Sequence, residues 1–134
     1  MSLIQYSSDL ATAEAPVPLP VGTYPATVTD AQVKVSQNSG NEYLSLTFKV
    51  SSDVYPPDYA DGDPDGISLS FNRTVIDDTV VGRFRMRKLL EAFGLTLSNS
   101  VDPNDFIDRV ANVQIAHEDF EGAPRANIAK VLAP

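Results

Sequence analysis

The stretch Tyr43-Leu44-Ser45-Leu46-Thr47-Phe48-Lys49-Val50 decides the fold. Leu44, Leu46, Phe48 and Val50 alternate with Tyr43, Ser45, Thr47 and Lys49. A strict period of two is what a strand shows when one face lies on a core and the other in water. A helix would need its apolar residues three and four apart. The same alternation recurs downstream, where Ile67, Leu69 and Phe71 interleave with Ser68, Ser70 and Asn72. Upstream, Thr23 to Val35 is rich in Thr and Val and ends in the turn-forming run Ser36-Gln37-Asn38-Ser39-Gly40, which predicts a first strand. Two more strands are expected over Val110 to Glu118 and Arg125 to Leu132, joined by Asp119-Phe120-Glu121-Gly122.

Between the third and fourth strands the period changes. Met86, Leu89, Leu90 and Phe93 stand at i, i+3, i+4 and i+7, one apolar stripe of a helix. Gly94 follows at the position where helices turn into the left-handed region, so the spacing predicts a helix from about Val80 to Phe93. A short helical turn is expected within Val101 to Arg109, with Asp102 capping it ahead of Pro103. The order strand, strand, strand, helix, strand, strand predicts a mainly-β domain. Its architecture is an OB-fold-like five-stranded Greek-key barrel with one helix between strands three and four. In such a barrel the helix stripe plugs one end. A β-sandwich with one helix has the same periodicity and stays open as the alternative. No internal repeat is present.

At 134 residues the chain has the length of one domain. Residues 1–20 hold the Ala- and Pro-rich run Ala11 to Pro20 and are expected to form a flexible N-terminal arm, leaving 21–134 as the domain. There is no cysteine, hence no disulfide, thiolate ligand or thiol nucleophile. Met1 to Leu10 lacks a basic segment and a long apolar run, so no secretory leader is expected. No run of about 18 apolar residues occurs, so no spanning helix and no membrane association are expected. The formal net charge of −8 argues against coating nucleic acid by bulk charge, which needs a basic footprint. Local clusters therefore matter more. Asp53, Asp58, Asp61, Asp63 and Asp65 crowd one loop, while Arg83, Arg85, Arg87 and Lys88 crowd the helix.

Catalytic signatures are absent from the pattern. Asp61-Gly62-Asp63-Pro64-Asp65-Gly66 matches the opening of a calcium loop, but its twelfth position is Asn72 where a bidentate glutamate is needed, and a strand follows. The segment therefore reads as a solvated turn, hanging clear of any ligand path, without a metal. His117 is the single histidine, at a strand end, and reads as structural. Neither a nucleophile elbow nor a phosphate-cradling glycine loop occurs, so no enzyme activity, catalytic residue or cofactor is expected. Arg87 and Glu91 are spaced as an ordinary surface pair. Single-stranded nucleic acid needs a cationic groove with aromatic faces for its bases. On a barrel of this kind the candidates are Lys34, Tyr43, Lys49 and Arg73 on the second and third strands and their neighbours, with Phe120 and Arg125 at the last hairpin.

Four pieces of sequence carry a resemblance. They are Leu19-Pro20-Val21-Gly22-Thr23-Tyr24, Ser39-Gly40-Asn41-Glu42-Tyr43-Leu44, Leu89-Leu90-Glu91-Ala92-Phe93-Gly94, and Asp119-Phe120-Glu121-Gly122 with Asn127. In this order they resemble a bacteriophage family of single-stranded DNA-binding proteins, formerly filed as a domain of unknown function. The resemblance implies an OB-fold and binding of single-stranded DNA without sequence preference. It also implies a place in phage replication or recombination, in the cytoplasm of the infected bacterial host. Phage replication or recombination proteins are the implied partners, and self-association stays open. Two features depart from the pattern: the long acidic loop from Asp53 to Gly66, and the close at Val131-Leu132-Ala133-Pro134, which has no acidic tip. A phage structural or assembly protein making only protein contacts is the alternative, and a carbohydrate- or calcium-binding sandwich a third.

Overall fold

Strand β1 (Gly22–Val35) is long enough to belong to two halves of the molecule at once. Gly22 to Thr27 pair with β4 (Val110–Phe120), and Thr27 to Val35 pair with β2 (Glu42–Val50). A bulge between Val28 and Asp30 lets the strand change direction, as an extra residue on one side of a ladder bends it. β2 carries β3 (Ile67–Val75) on its far side and β4 carries β5 (Ala123–Leu132), so the sheet runs β3-β2-β1-β4-β5, all antiparallel. Helix α1 (Val80–Ala92) lies between β3 and β4 in the chain. These elements come from a computed structural model that describes residues 3–134. Met1 and Ser2, the first residues of the expected arm, lie outside the described residues.

The mainly-β class with one helix is therefore the architecture, but the expected closed barrel is not. β3 and β5 approach as the two walls of one groove, and no ladder joins them. Both of these edge pairings carry an irregularity, between Leu44 and Leu46 on the β2–β3 side and between Gln114 and Ile115 on the β4–β5 side. Register breaks of this kind terminate or re-aim pairing at a sheet edge.

The inner face of the sheet is what the alternation in β2 prescribes. Leu44, Leu46, Phe48 and Val50 are buried, against Tyr24, Ala26 and Val28 of β1, Ala111, Val113 and Ile115 of β4, and Ile128 of β5. Leu69, Phe71 and Met86, expected inside, are only half-buried. β3 is an edge strand with a neighbour on one side, so its inward side chains are covered on one flank only. Leu89 and Leu90 of α1, with Phe93 at its C-cap, complete the core. Phe93 stacks on Phe48 at 6.0 Å between ring centroids and meets Phe106 edge-on at 5.3 Å. Phe106, fully buried, comes from the 3₁₀ turn Pro103–Phe106, which Asp102 caps by accepting from the Asn104 N–H.

Both ends of α1 follow from side-chain chemistry. Thr79 accepts from the Gly82 N–H, satisfying one of the helix's orphan donors, and Asp77 in turn accepts from the Thr79 hydroxyl. Gly82 lies under that turn, where a Cβ would stand 2.6 Å from the Asp77 carbonyl oxygen. At the other end Gly94 takes φ +67°, and the Gly94 and Leu95 N–H groups return to the Glu91 and Leu90 carbonyls. That is a Schellman close.

The arm is exposed over residues 3–17, and its last residues join the domain. Leu19 is buried, the Tyr24 hydroxyl donates to the Pro20 carbonyl, and His117 Nε2 donates to the Leu19 carbonyl at 2.7 Å. The acidic loop takes part too, although Asp61, Asp63 and Asp65 are exposed, as expected of a solvated turn. Asp61 accepts from the Val17 N–H at 2.7 Å and Tyr59 donates to the Val17 carbonyl at 2.9 Å. Among the described residues no helix is long and apolar enough to cross a membrane.

Candidate functional site

The outward side of the β2 alternation is the starting point. Tyr43 stands opposite Lys34 on β1 and Val75 on β3, on the face turned away from the core. The β1–β2 hairpin closes above them with the Ser36 N–H on the Asn41 carbonyl and the Gly40 N–H on the Ser36 carbonyl. Gly40 sits at φ +74°, a left-handed conformation that suits glycine. Lys34, the hairpin, Tyr43, Asn72 and Val75 line a groove of about 720 Å³, within the range that accepts a small organic ligand.

Asn72 belongs to a second groove as well, the cleft between β3 and β5. Its Oδ1 accepts from the Ser45 hydroxyl at 2.6 Å, which fixes the amide between the two grooves. Ser68, Ser70 and Arg73 form one wall of the cleft, with Glu118, Arg125 and Asn127 on the other. The β4–β5 turn builds that far wall. Glu121 and Gly122 both have positive φ, +51° and +81°, the geometry of a two-residue type I′ hairpin. Such a turn sets Phe120 opposite Ala123 and Glu118 opposite Arg125. Arg125 donates to Glu118 at 2.7 Å, and its guanidinium lies 4.1 Å from the centroid of the Phe120 ring. The hydrogen bond from Arg125 holds the Glu118 carboxyl below its ordinary range, and the charge of Arg73 adds to the effect. Beside this pair the Asn127 Oδ1 is buried with no partner among the described residues.

Five of the six candidate residues are thus gathered at the grooves: Lys34 and Tyr43 at one, Arg73 and Arg125 at the other, with the Phe120 ring against Arg125. Lys49 shares the outward side of β2 but lines neither groove. It pairs with Thr27 and Ser68 at the far end of β2, six residues and roughly 20 Å from Tyr43, beside Gly66 at the root of the acidic loop. Asn72, Glu118 and Asn127 are contributors that were not singled out as candidates. Glu118 was legible in principle, because reading Glu121-Gly122 as the whole turn sets the register that places it opposite Arg125. The carboxylates of the acidic loop serve its own fold: Asp63 accepts from the Asp65 N–H while Asp61 holds Val17. His117 is committed to Leu19.

Fold and face together define a small mainly-β protein with an open five-stranded sheet and a grooved polar surface on its outward side. The chain belongs to the family described as Protein of unknown function (DUF669), which it matches over residues 7–122. The match takes in most of the arm, the acidic loop, α1 and the strands up to the β4–β5 turn. No curated protein matches the chain.

Proposed function

We propose that this protein binds single-stranded DNA along its outward face, by contact and without catalysis, in phage replication or recombination. The observation that carries the reading is the pair of grooves meeting at Asn72, with Tyr43 and Lys34 at one and Arg73, Arg125 and Phe120 at the other. That is the combination single strands require: cations that follow the phosphates and aromatic faces on which bases stack. The topology favours the same use. A strand order of β3-β2-β1-β4-β5, with β3 brought up to β5 and a helix between β3 and β4, is the order an OB barrel would have if opened along one seam. Such barrels present strands two and three and the first and last hairpin loops to their ligand. Phosphates and the faces of the bases are common to every nucleotide, so binding through cations and aromatic rings is sequence-tolerant. The setting is the cytoplasm of an infected bacterial host.

The test is fluorescence anisotropy of a labelled oligothymidine at rising salt. Binding should weaken with a slope near −0.7 in log–log form for each phosphate neutralised. With Lys34, Arg73 and Arg125 engaged, the slope should lie near −2. Absence of binding at micromolar protein in low salt would overturn the proposal.

A second reading, an assembly protein that meets only other proteins, is favoured by one observation: Leu3, Ile4, Tyr6, Val80, Val81 and Phe84 are all exposed.

A further inference from the structure

Helix α1 is apolar on two sides. Leu89, Leu90 and Phe93 face the core, and at 100° per residue Val80 and Phe84 fall diametrically opposite, with Val81 at their flank. Val80 is 76% exposed, Val81 58% and Phe84 57%. An apolar stripe on the solvent side of a surface helix marks a surface for a partner. Its surroundings are basic. Arg83 and Arg87 are paired with Asp78 and Glu91, Lys88 lies 5.6 Å over the Phe84 ring, and Arg85 has no ion pair among the described residues.

The arm has the complementary chemistry. Leu3, Ile4, Tyr6 and Leu10 are each at least 64% exposed, and the only charged side chains over 3–16 are Asp9 and Glu14. Within one protomer the two surfaces stay apart, for both are bare. The arm is nonetheless held firmly at its root, where Asp61, Tyr59 and His117 grip Val17 and Leu19. Residues 3–16 carry one 3₁₀ turn at Leu10–Thr12 and still reach roughly 40 Å, more than the diameter of a small domain.

We propose that residues 3–16 of one copy dock on the Val80–Val81–Phe84 face of a second copy. Acidic groups of the arm meet basic groups of the helix, and apolar side chains of both leave water. Because the arm and its dock are different patches, the contact is heterologous, and it closes as a reciprocal exchange or runs on head to tail. The inference is independent of the DNA-binding reading: it uses none of the residues at the grooves.

The test is sedimentation velocity of the full chain over a range of micromolar concentrations. The wild type should show a mass above one protomer that rises with concentration and falls as salt screens the charges. Ile4→Asp with Leu10→Asp, and separately Val80→Asp with Phe84→Asp, should each lower the association constant roughly tenfold or more, the loss expected when apolar anchors leave a small interface. All four positions are exposed, and circular dichroism melting confirms that the variants fold. Mixing the two variants is the decisive arm, since the helix variant keeps an intact arm and the arm variant keeps an intact dock. A one-to-one heterodimer is expected. A wild type that remains a single protomer throughout, whether because the arm folds on its own helix or binds nothing, would overturn the proposal. So would variants that associate as well as the wild type, or a mixture that fails to pair.

Discussion

Phe48 and Tyr43 lie on the same strand and face opposite sides of it, and everything that distinguishes them follows from that pleat. Phe48 is fully buried and stacked on Phe93. Phe48→Ala removes a ring and leaves a cavity, at a cost of about 3 to 5 kcal/mol. That is a large share of the roughly 5 to 15 kcal/mol a domain has in hand. Thermal melting should show a steep drop. Tyr43→Ala should leave the melting point within a few degrees and weaken oligothymidine binding; unfolding by Tyr43→Ala alone would mean that the ring belongs to the core. The Glu118–Arg125 pair argues at the same scale. Glu118 is held below its ordinary range by Arg125, so the stability the pair adds is present above the unfolded value of about 4.3 and disappears as pH falls through the lowered folded value. Binding should therefore be flat from about pH 8 down to about pH 5 as far as this pair is concerned. Glu118→Gln releases the Arg125 guanidinium toward phosphate and should tighten binding about two- to fivefold, the equivalent of one exposed ion pair. Equal or weaker binding by that variant would show that Arg125 reaches the strand without leaving Glu118.

Among the elements, the acidic loop changes meaning most between its residues and its place. Its Asp-Gly-Asp-Pro-Asp-Gly run reads as a solvated turn, yet Asp61 is the acceptor that pins the arm at Val17. Tyr55 and Tyr59 meet edge-on at 5.4 Å and pack against the core, and burial pushes both phenols up. Asp61→Ala should free the arm root while leaving the sheet intact. Limited proteolysis should then cut within residues 11–18 several times faster at an unchanged melting temperature, and an unchanged cleavage rate would show that Tyr59 and Leu19 suffice to hold it. Helix α1 was legible from its stripe and from Gly94, because those signals are local. Its second stripe was not singled out, since Val80, Val81 and Phe84 are apolar residues whose exposure depends on which side of the helix meets the sheet.

For the whole molecule the open seam between β3 and β5 is the feature with consequences. Thr27 at the centre of β1 has ladder partners on both sides, Lys49 and Val110, whereas β3 and β5 each have a neighbour on one side only. Hydrogen exchange should be slowest around Thr27 and fastest along the groove-facing edges of Ser68–Arg73 and Arg125–Ile128. Adding oligothymidine should protect those edges. If they exchange as slowly as Thr27 in the free protein, the seam is closed in solution.

The strands, the single helix, its glycine close and the inner face of β2 were determined by the sequence alone, because period and capping chemistry act over a few neighbouring residues. The tertiary structure decided what long-range geometry decides. It left β3 and β5 as two unladdered edges and set the register irregularities in the ladders beside them, which arise only when strands meet. It made Phe106 a core residue by folding a 3₁₀ turn against Phe93. It gathered Lys34, Tyr43, Arg73, Phe120 and Arg125 about two adjoining grooves while sending Lys49, on the same side of β2, to the far end of its strand. Alternation tells which side of a strand a residue faces; how far along the sheet it lies from another is set only by pairing register.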